Sequence, residues 1–199
     1  MTVRAPSSPA ADPIGPGRLL LVVGPSGAGK DTIIAGAKAA CAHDSNIVFP
    51  RRVVTRTATS AEDHDSLDDA GFERALADGD FAFLWRAHGL RYGIPRSIDD
   101  DIRAGRTVIC NVSRGVVANL RVRYADVIAV LITAPADILA ARLAGRSRAS
   151  DGSLPERIKR NEAFVEFQAD RTIDNSGAPE AAVQHLIAAA NTPASSSSG

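Results

Sequence analysis

The chain has 199 residues, 45% of them apolar, which suits one α/β domain, or one core carrying small lids, with a sizeable buried interior. Lys plus Arg and Asp plus Glu both number 23, so the formal net charge is zero, and neither a nucleic-acid partner nor a membrane partner is expected. No apolar run reaches the ~18 residues of a membrane span. The N-terminus reads as lacking a signal core, and the two cysteines, Cys41 and Cys110, form no CxxC pattern and read as reduced, packed thiols of a cytoplasmic protein.

In chain order, residues 1–17 are small and Pro-rich and read as a disordered segment. Arg18 to Val23 is an apolar run suited to the centre of a parallel sheet, followed by a Gly-rich turn and a helix from Lys30 to about Cys41. Arg52 to Thr55 is a second strand candidate. The stretch from Thr57 to Gly93 is too long for a plain connection, with a helix expected over Asp68 to Asp78 and a strand over Phe81 to Trp85. In that strand Phe81, Phe83 and Trp85 alternate and read as its core face. Pro95 is expected to open a helix that Gly105 ends, and strands follow at Thr107 to Val112 and Val127 to Thr133. Pro135 opens a helix to about Ala144, a polar basic run follows over about 145–155, and Pro155 opens a helix to about Gln168. A short strand at Thr172 to Asp174, a helix opened by Pro179 and a disordered tail at 191–199 complete the chain. Strands alternating with helices imply βαβ crossovers: an α/β fold with a parallel sheet over residues 18–190, a binding insert at about 57–93 and a short lid at about 145–155.

Gly24-Pro25-Ser26-Gly27-Ala28-Gly29-Lys30 matches G-x-x-x-x-G-K after an apolar strand and before a helix, the context a P-loop requires. The oxygens of ATP must approach the backbone closely, and glycines leave the N–H groups free to point at them. The helix presents its positive end to the same anion, and Lys30 adds a movable positive charge. Asp31 stands where Ser or Thr normally holds Mg²⁺. It can ligate the metal directly or through water, Thr32 can take that role instead, or Asp31 merely favours the helix N-terminus.

The motifs GPSGAGKD, VVTR (Val53 to Arg56), HGLRYGIP (His88 to Pro95), CNVSR (Cys110 to Arg114) and RLAGRSR (Arg142 to Arg148) occur in the order of the guanylate kinase family, and the chain resembles that family from about residue 18 to 190. The resemblance implies a three-layer P-loop NTPase core, an acceptor-binding lobe and an Arg-bearing lid. The departures are as informative. Phe83 stands at the position of the Glu that reads guanine, Arg52 at that of a base-reading Ser, and His64 at that of a Tyr that contacts nucleotide phosphate. Asn111 and Ser113 replace acidic residues. Losing a buried carboxylate costs most of the discrimination for a base edge, so GMP is not the expected acceptor. In these same positions, with GKD in place of GKS and N-x-S-R after the strand, the chain is similar to the ribose 1,5-bisphosphate phosphokinases of bacterial phosphonate breakdown.

That resemblance implies transfer from ATP to ribose 1,5-bisphosphate, a small phosphorylated sugar, giving ADP and 5-phosphoribosyl 1-diphosphate. The attacking phosphate oxygen is already ionised near pH 7, so the task is charge stabilisation rather than base catalysis. Lys30, Arg142 and Arg146 are the catalytic candidates, the two arginines being four apart and so able to share one helix face, unless they form only a solvated basic face. Arg52, Arg56, Tyr92, Asn111, Ser113, Arg114 and Arg148 are candidates for gripping the acceptor, with His64 as a further donor or a merely solvated loop residue. Arg51 should face away from Arg52 and be structural. Asn175 follows the last strand, where the family brings its adenine-side loop; the alternative is a plain turn. Two rival functions stand beside this reading: a nucleoside monophosphate kinase, and a nucleotide-binding module without turnover. The sequence does not specify an oligomeric state.

Overall fold

Strand β1 (Ile14–Val23) shows how a run of apolar residues makes a central strand. Leu20 and Val22 enter one hydrophobic cluster, Leu19, Leu21 and Val23 the other, and all five are 0% exposed. Successive side chains point to opposite faces, and both faces are covered, so no polar alternation is needed. The structure, a computed structural model, describes residues 12–56, 64–87, 89–144 and 167–192.

Around β1 the central sheet runs in the order β2 (Ile47–Val48), β7 (Thr107–Asn111), β1, β8 (Tyr124–Thr133), β9 (Arg171–Asp174), with every neighbouring pair parallel. Helices α1 (Lys30–Ala40), α5 (Ala136–Ala144) and α6 (Pro179–Asn191) cover one face through Ile33, Ala37, Leu139, Ala182 and Leu186. Helices α3 (Ser97–Arg103) and α4 (Val117–Arg123) cover the other through Ile98, Ile102, Val117 and Leu120. Ile98 and Ile102 are each 0% exposed, and a fully buried side chain of this size contributes about 1.5–3 kcal/mol. The expected α/β three-layer architecture is therefore present.

A second sheet stands beside the C-terminal end of the first in the order β4 (His64–Ser66), β3 (Arg52–Val54), β6 (Leu90–Pro95), β5 (Phe81–Ala87). Here β3 pairs parallel with β4 and antiparallel with β6, and β5 pairs antiparallel with β6. Helix α2 (Asp69–Ala77) is capped by the Asp68 carboxylate, which accepts from the Gly71 N–H at 2.7 Å. Phe72 of α2 stacks on Phe81 with ring centroids 4.7 Å apart, and the Arg91 guanidinium lies 4.6 Å over the Phe72 ring. This lobe thus has a small core of its own.

Several elements differ from expectation. β1 begins at Ile14, so residues 14–17 belong to the sheet and not to a disordered segment. The strand at Arg52 lies in the second sheet instead of the parallel one, whose edge is the unforeseen β2; a two-residue strand leaves no periodic signal in sequence. Pro95 ends β6 rather than opening α3, which starts at Ser97. β4, β6 and α4 were not anticipated. Phe83 and Trp85 do pack on the central core, but a bulge between Phe81 and Phe83 breaks the alternation and leaves Phe81 to α2. The expected helix at 155–168 and lid at 145–155 fall largely outside the described residues.

Candidate active site

The loop from Gly24 to Gly29 joins β1 to α1 at the C-terminal end of the central strands, where ligands of parallel α/β sheets bind. Its glycines are required by space and by conformation. A Cβ on Gly24 would run into the Ile132 carbonyl oxygen, and Gly29, at φ 88°, adopts a left-handed conformation with the Asn175 amide where its Cβ would lie. Such a loop presents N–H groups to an anion, and α1 begins directly behind it.

Lys30 lies across this loop. Its Nζ donates to the carbonyl oxygens of Gly24 at 2.7 Å and Pro25 at 2.9 Å. Burial lowers its pKa to about 8, Asp31 opposes that fall and the Arg52 guanidinium adds to it. Among the described residues its hydrogen bonds run to carbonyl oxygens, with Asp31 as the nearby opposite charge.

Asp31, in the first turn of α1, is half exposed. Its Oδ1 accepts from Asn111 Nδ2 at 3.0 Å and lies 3.7 Å from Arg52 Nη2. Asn111 ends β7 and Arg52 opens β3. Three of the expected site residues, from both sheets and from α1, therefore meet beside Lys30. The Arg52 side chain is only 19% exposed, and its Nε is buried without a hydrogen-bond partner among the described residues. Arg51 instead pairs with Asp65 at 3.0 Å and donates to the His64 carbonyl oxygen at 3.2 Å, the structural role expected of it.

On the other side of the loop, Asn175 is 4% exposed and its Nδ2 donates to the Ala28 carbonyl oxygen at 2.8 Å. Its own carbonyl accepts from Arg142 Nη2 at 2.9 Å, while Arg142 Nη1 is buried without a hydrogen-bond partner among the described residues. Asn175 thus braces the P-loop itself. The local signal was the Asn after the last strand, but which backbone group it bonds depends on how β9 pairs with β8.

The remaining expected residues are distributed as follows. Arg56 follows β3 and is half-buried, and Ser113 and Arg114 sit half-buried after β7. Thr32 is exposed in the first turn of α1, next to Asp31. His64 is no solvated loop residue: it lies on β4 opposite Arg52 and is 1% exposed. Tyr92 pairs across the sheet with both Val54 and Trp85, and its ring stacks on Trp85 at 5.1 Å with a 6° interplanar angle. That stack was missed; the turn residue Gly89 between two apolar runs was the available hint of the hairpin that makes it. Arg146 and Arg148 lie outside the described residues.

No family model matches the chain. Among curated proteins, the ribose 1,5-bisphosphate phosphokinase PhnN of Rhodopseudomonas palustris is 58% identical over 174 residues, 87% of this chain and 88% of that protein. The chain belongs to the ribose 1,5-bisphosphate phosphokinase family. The protein of the same name from Bradyrhizobium diazoefficiens is 54% identical over 89% of this chain and 89% of its own length. The crystal structure of guanylate kinase from Anaplasma phagocytophilum superposes with a TM-score of 0.59 at 21% identity, covering 87% of this chain and 84% of that one. That likeness bears on the fold alone, since one fold can carry different sites.

Proposed function

We propose that this chain transfers the γ-phosphoryl group of ATP to the 1-phosphate of ribose 1,5-bisphosphate, giving ADP and 5-phospho-α-D-ribose 1-diphosphate, as a step of phosphonate breakdown. The observation that carries the reading is the pairing of Arg52 with the first turn of the P-loop helix, 3.7 Å from Asp31, in a chain 58% identical to a named ribose 1,5-bisphosphate phosphokinase. By the resemblance to guanylate kinases, Arg52 stands where those enzymes carry a base-reading Ser. A guanidinium that is 19% exposed is instead suited to a phosphate.

The reaction adds one phosphate oxygen to the γ-phosphorus and releases ADP. The nucleophile carries its negative charge already, so no side chain needs to take up a proton. What the protein supplies is position and charge. The loop amides and Lys30 receive the triphosphate, and Lys30 exchanges its two carbonyl contacts for the β- and γ-oxygens. Arg142, with one Nη group already tied to Asn175, turns its remaining donor toward the same phosphates; Arg146 shares that role and Arg148 serves the acceptor, both lying outside the described residues. Arg52, Arg56, Tyr92, Asn111, Ser113 and Arg114 form the acceptor wall. His64, buried on β4 in register with Arg52, flanks that wall.

Mg²⁺ fits the donor set. Among the described residues no group of three His, Cys, Asp or Glu side chains could cage a metal, whereas Asp31 is a half-exposed oxygen ligand beside the loop, with Thr32 next to it. Mg²⁺ ordinarily binds through one or two carboxylates plus substrate phosphates, and it would neutralise charge on the transferring group. No described helix is long and apolar enough to cross a membrane.

The test is an acceptor panel. Purified protein with Mg·ATP is offered ribose 1,5-bisphosphate, GMP, AMP and dTMP, and products are identified by ³¹P NMR. A diphosphate signal formed only from the sugar is expected. Preference for any nucleotide would overturn the assignment of acceptor, and ADP formation independent of every acceptor would overturn the assignment as a kinase.

A further inference from the structure

Asp31 is an awkward residue for its place. The N-terminus of α1 is where phosphate is drawn by amides, by the helix dipole and by Lys30, and a carboxylate there repels the same phosphate. The ordinary hydroxyl residue has no such cost. Besides any Mg²⁺ the carboxylate would hold, the protein itself offsets that cost: one oxygen, Oδ1, accepts from Asn111 at 3.0 Å and lies 3.7 Å from the Arg52 guanidinium. Asn111 belongs to the central sheet, Arg52 to the second sheet and Asp31 to the P-loop helix. One carboxylate oxygen therefore ties the donor loop to two elements of the acceptor wall.

The need is mutual. Arg52 has lost most of its water, at 19% exposure, and its Nε is buried without a hydrogen-bond partner among the described residues. A guanidinium in that state requires a counter-anion nearby. A phosphate bound at the acceptor wall is a second anion drawn to the same group. Both charges also reach the donor side: after burial, Asp31 and Arg52 are the charges that act on the Lys30 ammonium, in opposite directions.

We propose that Asp31 is a positioning residue that couples the two substrates: it holds Arg52 and Asn111 in register with the P-loop helix, so that acceptor phosphate drawn onto Arg52 tightens the hold of the loop on the nucleotide. This rests on the proposed function for the identity of the acceptor. It also accounts for Asp31 standing beside Arg52 and Asn111 in this chain: anion and cation compensate one another, and the neutral amide donates to the carboxylate where an ionised acid could not.

The experiment is calorimetric titration of the intact chain with the non-hydrolysable β,γ-imido analogue of ATP plus Mg²⁺, with and without saturating ribose 1,5-bisphosphate. In the wild type the acceptor should tighten analogue binding about fivefold or more, within the usual range of coupling between sites. In Asp31→Ser, the ordinary P-loop residue, the ratio of the two affinities should fall below about twofold, and Arg52→Met should lose it from the other side. Asp31→Glu should recover part of it. A merely structural role would weaken both titrations equally and leave the ratio at its wild-type value, and that result overturns the proposal. If the wild type does not bind ribose 1,5-bisphosphate, the proposed function fails. The coupling is then judged with inorganic phosphate as the anion offered to Arg52: tighter analogue binding in its presence, lost in Asp31→Ser, supports it, and an unchanged affinity overturns it.

Discussion

Replacing Asn175 by Ala tests whether the P-loop owes its shape to a side chain from the far end of the chain. In the structure the Asn175 amide donates to the Ala28 carbonyl oxygen at 2.8 Å, and Ala28 is 0% exposed. Removing the donor leaves a buried acceptor without its bond, which costs about 1–3 kcal/mol. Part of this is returned, because Asn175 Oδ1 is itself buried without a hydrogen-bond partner among the described residues. A net loss of about 2 kcal/mol is expected, lowering Tm by roughly 4–8 °C for a chain of this size. The loop is also the nucleotide cradle, so if most of that loss falls on it, Mg·ATP should bind up to roughly 30-fold more weakly, since each 1.4 kcal/mol is tenfold. A second variant isolates the contact. Gly29→Ala meets both the left-handed backbone at φ 88° and the Asn175 amide, and in the Asn175→Ala background only the first penalty, about 1–2 kcal/mol, remains. Urea unfolding and nucleotide titration of the two single variants and the double variant are the assays. Strictly additive stabilities, or an Asn175→Ala protein with wild-type nucleotide affinity, would refute the account of Asn175 as the brace of the loop.

Three further outcomes follow from single contacts. Lys30, with its pKa lowered from 10.5 to about 8, binds its proton less tightly folded than unfolded. Stability relative to a Lys30→Met variant should therefore rise between about pH 8 and 10.5, while kcat/KM for Mg·ATP falls about tenfold per pH unit above about 8; flat profiles over that window would contradict it. Tyr124→Phe removes the hydroxyl that donates to the buried Asp99 carboxylate at 2.6 Å, far from the P-loop in the fold, and should cost about 1.5–3 kcal/mol in urea unfolding without altering the KM for ATP. Trp85→Ala removes the ring stacked on Tyr92 at 5.1 Å; with roughly 0.5–1.5 kcal/mol lost from the pair, the KM for the acceptor should rise several-fold and that for ATP should not.

The elements legible in the sequence are those whose cause is local. The P-loop was visible because close approach of a backbone to phosphate demands glycine at fixed spacing, and α1, α2, α5, α6, β1, β7, β8 and β9 follow from apolar runs, caps and prolines read one segment at a time. β2 and β4 were not legible, because strands of two and three residues carry no periodicity and exist only where a partner strand supplies the hydrogen bonds. Pro95 misled for the same reason: a proline ends an edge-paired strand as readily as it opens a helix, and pairing with Phe81 decided between them.

For the site the division is the same. From residue types alone came a phosphate-binding loop, a lysine for it, a surplus of arginines for a phosphorylated acceptor and the absence of the side chains that read guanine. Only the tertiary structure determined which of these groups meet. It joined Asp31 to Arg52 and Asn111, sent Asn175 to the loop backbone and buried His64, because contacts between residues 21 to 147 positions apart depend on which strands pair and in what register, and no local pattern carries that information.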